Sequence, residues 1–276
     1  MYLRNINNLL LKDKSKMKRL LLATVLIISS LTVMAKDIVW YDGHCPITYT
    51  IQSKCKLVVN TALDMFSADM KDVTGKKAIQ TASANAIIVI TQLDMASSSA
   101  KKRLSNMNVP INDIEAKAEC FNIRTNNDGK ILVTGSDARG TAYGILELSR
   151  IAGVSPWTWW ADSKPMHKDI LTIKDDFYTT QSPSVKYRGI FINDEDWSIR
   201  LWSWKTYDKG NAAGCIGAKT YKQLFRLLLR LRANTIWPAM HGGTVPFYFV
   251  KGTKETADSC GIIVGTSHCE PMMRNN

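Results

Sequence analysis

The stretch Val185–Ile192 (VKYRGIFI) decides the fold, because it starts a regular alternation of apolar and amphipathic segments. The amphipathic segment Ala218–Arg232 comes next and is followed by the apolar segment Ala233–Ala239. A short helical segment, Thr253–Cys260, and a third apolar segment, Gly261–Ser267, complete the pattern. This β-α-β-α-β order predicts parallel strands joined by helical crossovers, with the basic side chains of the first crossover helix facing solvent.

The block before this pattern, residues 36–180, mixes strand and helix signals in no regular order and predicts an α+β domain. The continuous apolar run Ala86–Ile90 is typical of a buried strand. The turn Asn126–Gly129 (NNDG) predicts a hairpin, because Asp-Gly accommodates the positive φ of a tight turn. We also predict helices over residues 58–70 and 140–151, and a linker over the polar stretch Asp175–Ser184.

The stretch Gly135–Thr141 (GSDARGT) has the glycines of a phosphate loop, but Thr141 stands where such a loop has Lys. We therefore exclude nucleotide binding and predict a turn between a strand and its helix. In that turn, Asp137 or Arg139 is expected to make salt links between domains.

Residues 1–35 have the composition of a secretory signal. Five basic residues between Lys12 and Arg19 precede the apolar run Leu20–Met34, which ends in a small-residue cleavage site, Val33-Met34-Ala35. That run is 15 residues long, short of the roughly 18 expected of a membrane span. We expect cleavage, no membrane association of the mature chain, and a secreted or periplasmic location.

The composition of the 276 residues, 45% hydrophobic and 22% charged, excludes a disordered chain and a disulfide miniprotein. Without residues 1–35 the formal net charge falls from +12 to +7, and no block of five like charges remains. Because nucleic-acid surfaces need clustered charge, we expect no nucleic-acid partner. The six cysteines leave two interpretations open, a Cys45–Cys55 disulfide or buried free thiols.

Polar or aromatic residues follow each predicted parallel strand. The first strand continues into Asn193–Trp197 (NDEDW), the second into Trp237–His241 (WPAMH) and the third into Ser267–Pro271 (SHCEP). Sites in α/β folds lie at the carboxyl ends of strands, so we expect these three segments to share one rim.

Adjacent carboxylates in Asn193–Trp197 repel one another, so one of them can stay protonated and act as a general acid or bind sugar hydroxyls. Trp197, Trp202 and Trp204 follow and suit either a sugar ring or the protein core. His241 and His268, with acidic neighbours, leave a divalent metal site open as an alternative.

Several long motifs carry a family resemblance: Gly153–Ala161 (GVSPWTWWA), Ser182–Trp197 (SPSVKYRGIFINDEDW), Ala233–His241 (ANTIWPAMH) and Gly265–Asn276 (GTSHCEPMMRNN). Together they resemble glycoside hydrolase family 115, the xylan α-1,2-glucuronidases. The stretch Gly135–Glu147 is similar to the non-catalytic second domain found ahead of the barrel in hexosaminidases and α-glucuronidases.

The resemblance implies an α/β chain with a hexosaminidase domain-2-like α+β domain at residues 36–180. The first strands of an incomplete (β/α)₈ TIM barrel would follow at residues 181–276. It also implies a secreted, exo-acting hydrolase that removes glucuronic or 4-O-methyl-glucuronic acid branches from xylan with inversion. Such an enzyme needs an acid and a base about 6.5–9.5 Å apart. Neither a cofactor nor a metal is implied, and a homo-oligomer of the full-length enzyme is compatible with the sequence.

Family motifs at the three strand ends assign a substrate pocket by resemblance, while the acid and base fall on later strands, beyond Asn276. The residues that match those motifs are Asp194, Glu195, Asp196, Trp197, Asn234, Trp237, His241, His268 and Glu270.

Three strands cannot close a barrel, so we expect this chain to be the N-terminal part of a longer enzyme and to be inactive alone. Two other functions remain open from the sequence. One is a metal-dependent barrel hydrolase that uses Asp194, His241 and His268. The other is a non-enzymatic secreted carbohydrate-binding module with the tryptophans as a sugar platform.

Overall fold

A computed structural model describes residues 37–193, 198–211, 215–238 and 244–266 of the chain. The signal predicted for residues 1–35 lies outside these ranges. Within the described residues, no helix combines the length and the apolar character needed to cross a membrane.

The amino-terminal half of the described chain is built on a six-stranded mixed sheet. The strands of this half are β1 (Ile38–Tyr41), β2 (Thr48–Ile51), β3 (Ile79–Gln80), β4 (Ile88–Gln92), β5 (Phe121–Thr125), β6 (Ile131–Gly135), β7 (Leu171–Ile173) and β8 (Tyr178–Gln181). The strand order of the sheet is β3-β2-β4-β6-β5-β8, in which β3, β2, β4 and β6 are parallel and β5 and β8 are antiparallel to their neighbours. A separate antiparallel pair, β1 with β7, lies outside that sheet.

Helices cover both faces of the six-stranded sheet. α1 (Leu57–Thr74) and α4 (Ala138–Ala152) pack together on one face, and α2 (Ser98–Asn106) and α3 (Ile111–Glu115) cover the other. α4 begins where the carboxylate of Asp137 accepts a 2.8 Å hydrogen bond from the amide of Gly140. It ends at Gly153, whose φ of 104° is available to glycine without strain. The predicted strand-to-helix turn at residues 135–141 is therefore confirmed.

The carboxy-terminal half carries the predicted β-α-β-α-β order. Three parallel strands, arranged β11-β10-β9, form its described sheet. Their bounds are β9 (Gly189–Phe191), β10 (Thr235–Trp237) and β11 (Ile263–Val264), and the helices are α5 (Ile199–Thr206), α6 (Ala218–Arg230) and α7 (Thr253–Ser259).

One hydrophobic core runs through both halves. α6 contributes Leu224, Phe225 and Leu228, which pack in the same cluster as Phe66 of α1 and Tyr143 of α4. This continuous burial supplies the main stabilising term that holds the two sheets in one body.

Two details of the sequence interpretation are wrong. The stretch Asp175–Ser184 is not a linker throughout, because β8 pairs along the edge of the six-stranded sheet. Arg230 does not face solvent, because its guanidinium forms two hydrogen bonds of 2.8 and 2.6 Å with the carboxylate of Asp69 on α1. In both cases a partner distant in sequence, which periodicity does not show, determines the placement.

The described cysteines, Cys45, Cys55, Cys120, Cys215 and Cys260, are free thiols. Burial raises the pKa of Cys120, Cys215 and Cys260. Of the two interpretations left open by the sequence, the structure therefore has free thiols for these five residues.

Candidate functional site

The carboxyl ends of β9 and β10 bring two aromatic rings together. In the parallel register of these strands Phe191 lies beside Trp237, so both side chains leave the same face of the sheet. Their ring centroids are 6.5 Å apart, with the ring planes at 65°. Phe191 is 45% exposed and Trp237 is 46% exposed, so an aromatic surface faces solvent at this end of the sheet.

The backbone around Trp237 fixes the position of its ring. The amide of Ile192 donates a 2.8 Å hydrogen bond to the carbonyl of Trp237, which extends the pairing of the two strands. Gly265 lies against the indole, where a Cβ would come within 2.6 Å of both Cδ1 and Nε1. Glycine at position 265 therefore leaves the space that the indole occupies.

A cavity of about 280 Å³ lies along the face that carries these rings. Polar groups in it are few, so shape and aromatic stacking dominate what it can bind. Its lining residues are Tyr187, Arg188, Gly189, Ile190, Phe191, Thr235 and Trp237.

Most of the site residues predicted from sequence lie outside the described residues. These are Asp194, Glu195, Asp196, Trp197, His241, His268 and Glu270. The prediction that they share one rim stays a prediction. The hydroxyl of Ser198 donates a 2.9 Å hydrogen bond to the carbonyl of Asn193, so the two described residues on either side of positions 194–197 are in contact.

Asn234 lies at the amino end of β10, opposite to the end that carries Trp237. Its side-chain amide is buried and fully bonded: Nδ2 donates to Glu119 and to the carbonyl of Lys186, and Oδ1 accepts from the amide of Arg188. In the described structure, the hydrogen bonds of the Asn234 side chain are therefore all made to other groups of the protein. Substrate contact by Asn234 stays a prediction, and the structure shows a structural role for it.

A buried polar network, which sequence reasoning missed, surrounds Asn234. Glu119 is 5% exposed and binds Arg139 at 2.7 Å, Asn234 at 2.8 Å and Arg188. Burial would raise the pKa of Glu119, but hydrogen bonds from Arg188 and Asn234 and the charges of Arg139 and Arg188 lower it below its ordinary value. No local pattern around Glu119 indicates this role, because its partners Arg188 and Asn234 are distant in sequence.

Other polar contacts also join the two halves. Arg139 Nη1 donates to the carbonyl of Gly261 at 3.1 Å, so it contacts the other half through a hydrogen bond. The expected salt link between the halves is not what the structure gives Arg139, because its ion pair is with Glu119 of its own half. Arg232 binds Glu147 at 2.6 Å. These bonds lie at or near the amino ends of the parallel strands, and the exposed rings lie at the other end.

The described residues contain no group of three or more His, Cys, Asp or Glu side chains that could hold a metal ion. The residues of the metal alternative, Asp194, His241 and His268, lie outside the described ranges. What the described strand ends offer is an aromatic surface in a shallow cavity, which suits the C–H face of a sugar ring.

Comparisons with known proteins agree with this architecture. The sequence profile of glycosyl hydrolase family 115 matches residues 180–276. A comparison with curated protein sequences finds no match. Among solved structures, a family GH115 4-O-methyl-α-glucuronidase, BtGH115A, with specificity for decorated arabinogalactans, is 43% identical to this chain with a TM-score of 0.78.

Hexosaminidases are similar in fold alone. The Streptomyces plicatus N-acetyl-β-hexosaminidase has a TM-score of 0.52 at 11% identity, covering 84% of this chain and 44% of its own. The Flavobacterium johnsoniae chitobiase has a TM-score of 0.50 at 10% identity, covering 84% of this chain and 32% of its own.

The GH115 match extends across both halves of the described chain, since it covers 86% of this chain. The chain spans 30% of the length of that relative. The evidence for the family is the mixed α/β fold, the matching profile and the 43% identity to BtGH115A. The chain belongs to glycoside hydrolase family 115.

Proposed function

We propose that the chain is part of a secreted glycoside hydrolase that removes glucuronic or 4-O-methyl-glucuronic acid branches from xylan. The observation that carries this proposal is the 43% identity to a 4-O-methyl-α-glucuronidase over 86% of the chain. The exposed Phe191 and Trp237 at the strand ends support it, because aromatic rings stack on pyranose rings.

In this proposal β9, β10 and β11 are the first strands of a (β/α)₈ barrel. Their parallel order and helical crossovers support that assignment, and a barrel of this kind carries its site at the carboxyl ends. Trp237 then forms one wall of the substrate pocket. Asp194, Glu195, Asp196 and Trp197 line it from the first strand, and His241, His268 and Glu270 from the next two.

Hydrolysis with inversion needs a protonated acid at the leaving oxygen and a base that activates water on the opposite face of the sugar. We propose that both groups lie on later strands of the barrel. The residues of this chain then bind and orient the uronic acid. A 276-residue chain with this division of roles is expected to release no uronic acid alone.

Decorated arabinogalactan is a second candidate substrate. The GH115 relative BtGH115A has specificity for that kind of polymer. A uronic acid branch on either polymer would present the same sugar to the pocket. The pocket residues proposed above recognise the branch sugar in either case.

The decisive experiment expresses the longest open reading frame that contains residues 1–276, and measures uronic acid released from glucuronoxylan and from decorated arabinogalactan. Release from glucuronoxylan, unaffected by a chelator, is the expected result. Release only from arabinogalactan would change the proposed substrate, and loss of activity in chelator would favour the metal-dependent alternative. Turnover by the 276-residue chain alone would show that the acid and base lie within it.

A further inference from the structure

A second aromatic surface lies away from the pair Phe191–Trp237. It is formed by Trp159 and Trp160, which follow α4, and by Trp202 and Tyr207, which lie on and just after α5. We call these four residues the aromatic corner. Trp160 is 52% exposed and Trp202 is 39% exposed, so a large aromatic area faces solvent.

The rings of the corner are held in fixed positions. Trp159 Nε1 donates a 2.6 Å hydrogen bond to the hydroxyl of Tyr207, and Trp159 packs against the core. Trp160 and Trp202 lie against Trp159 with centroid distances of 5.3 and 6.2 Å. Their own centroids are 5.8 Å apart with the planes at 66°, so the two exposed rings meet edge to face.

The helix that carries Trp202 is also fixed. The Ser203 and Thr220 hydroxyls lie 2.6 Å apart, and Thr220 Oγ1 donates to the buried carboxylate of Asp208 at 2.6 Å. Asp208 also accepts from the amide of Thr220 at 3.1 Å, which ties the end of α5 to the first turn of α6. Because the rings are ordered before a ligand arrives, binding costs little conformational entropy.

The indole N–H groups distinguish the exposed rings from the packed ones. Among the described residues, the N–H of Trp159 is bonded to Tyr207 and that of Trp204 to the carbonyl of Asn211 at 3.0 Å. Trp160 and Trp202 are the half-exposed rings of the corner, and they contact Trp159 and each other through their rings. An indole carries one N–H donor at the edge of its apolar face.

This combination of an apolar face and a donor at its edge matches a pyranose ring, which has a C–H face and hydroxyls at its rim. Lys205 lies one turn after Trp202 on α5 and is exposed, so it adds positive charge beside the rings. A polysaccharide that carries uronic acid branches is both a row of pyranose rings and an anion.

We propose that the aromatic corner binds the backbone of a uronic-acid-bearing polysaccharide, separately from the strand-end pocket that holds Trp237. The choice of a uronic-acid-bearing polymer as the ligand rests on the proposed function. Its site and its readout are independent of that function, because binding is measured on the chain alone and without turnover.

The test is affinity electrophoresis of the purified chain through gels that contain glucuronoxylan, decorated arabinogalactan or dextran. We expect retardation by a uronic-acid-bearing polymer and none by dextran. The double variant Trp160→Ala/Trp202→Ala should lose about tenfold or more in association constant. Trp204→Phe, at a ring whose N–H bonds the carbonyl of Asn211, serves as the control and should be retarded like the native chain.

A second variant keeps the proposal falsifiable if the alanine variant fails to fold. Trp160→Tyr/Trp202→Tyr retains aromatic faces, and we expect it to bind between the native chain and the alanine variant. Equal retardation of the native chain and both double variants would overturn the proposal, as would an absence of retardation in every polymer. Sedimentation that changes from dimer to monomer in the double variants would instead show a surface for a second copy.

Discussion

Asn234 Nδ2 donates a 2.8 Å hydrogen bond to Oε1 of Glu119, a residue 115 positions earlier in the chain. Asn234 also bonds Arg188, the residue before β9, through its side-chain oxygen and its backbone amide, and its carbonyl accepts from the amide of Ile263 in β11 at 2.7 Å. A single residue thus links the region where the three parallel strands begin to the six-stranded half. The amino ends of the parallel strands are therefore fixed by a buried carboxylate of the other half.

Replacing Glu119 with Gln is expected to destabilise the fold by about 3 kcal/mol at neutral pH, because Arg188 would lose its buried counter-charge. The folded-state pKa of Glu119 is lowered, so its contribution is present above the ordinary carboxyl pKa and is lost as the pH falls through the folded value. Urea unfolding at pH 7 and at decreasing pH measures this.

The difference in unfolding free energy between the native chain and Glu119→Gln should therefore be largest near pH 7 and should shrink below about pH 4. The other carboxylates titrate in both proteins, so their contribution to the pH dependence cancels in the difference between the two unfolding free energies. A difference that stays constant from pH 7 to pH 3 would contradict the role assigned to the Glu119 charge.

The ion pair Asp69–Arg230 should behave as a coupled unit. Asp69→Asn or Arg230→Met alone is expected to lower the free energy of unfolding by about 3 kcal/mol or more, because each change leaves the remaining buried charge without its counter-charge. The double variant should cost much less than the sum of the two single changes. A double-mutant cycle of unfolding free energies measures the coupling, and strict additivity would show that the pair contributes nothing.

Gly189→Ala should disrupt the pairing of β9 with β10. A Cβ at this position would lie 1.7 Å from the carbonyl oxygen of Thr235, which is backbone and cannot rotate away. We expect a loss of about 3 kcal/mol or more, measured by thermal unfolding. Gly210→Ala is the matched control, since no atom lies within 4 Å of a Cβ there. Equal stability of the two variants would contradict the close approach.

Gly265→Ala should displace the indole of Trp237 and leave the fold nearly intact. A Cβ would come within 2.6 Å of that ring, and the exposed ring can move, so we expect a stability loss below about 1 kcal/mol. Tryptophan fluorescence, with Gly265→Ala in a Trp237→Phe background as reference, reports the displacement. Under the proposed function, the same change in the product of the longest open reading frame should lower kcat/KM for uronic acid release, and an unchanged value would remove Trp237 from the proposed pocket.

Much of the fold can be predicted from sequence. The periodicity of residues 185–267 predicted three parallel strands and two crossover helices, and the structure confirms them. The hairpin at Asn126–Gly129 is confirmed too, with Gly129 at φ 72°. β8 was missed because a polar edge strand has the composition of a linker. α5 was missed because its buried side chain is that of Ser203, so no apolar face marks it as a helix.

The site is less predictable than the fold. Trp237 was singled out because it follows an apolar strand, and strand ends carry sites in α/β folds; its role in the pocket stays a prediction. Asn234 was assigned by family resemblance alone, and it lies just before Thr235, at the amino end of β10, where its side chain bonds other protein groups. Glu119 has a φ of 53°, and nothing in its neighbours predicts either that conformation or its partners.

The core shared by α1, α4 and α6 has a practical consequence for protein engineering. A chimera that joins residues 37–180 of this chain to the carboxy-terminal half of another protein takes Glu119 away from Arg188 and Asn234, and Asp69 away from Arg230. Where the new half has other residues at those positions, the buried carboxylates of Glu119 and Asp69 lose their partners. Successful grafts should therefore exchange Glu119, Arg188 and Asn234 as one block, together with the pair Asp69–Arg230.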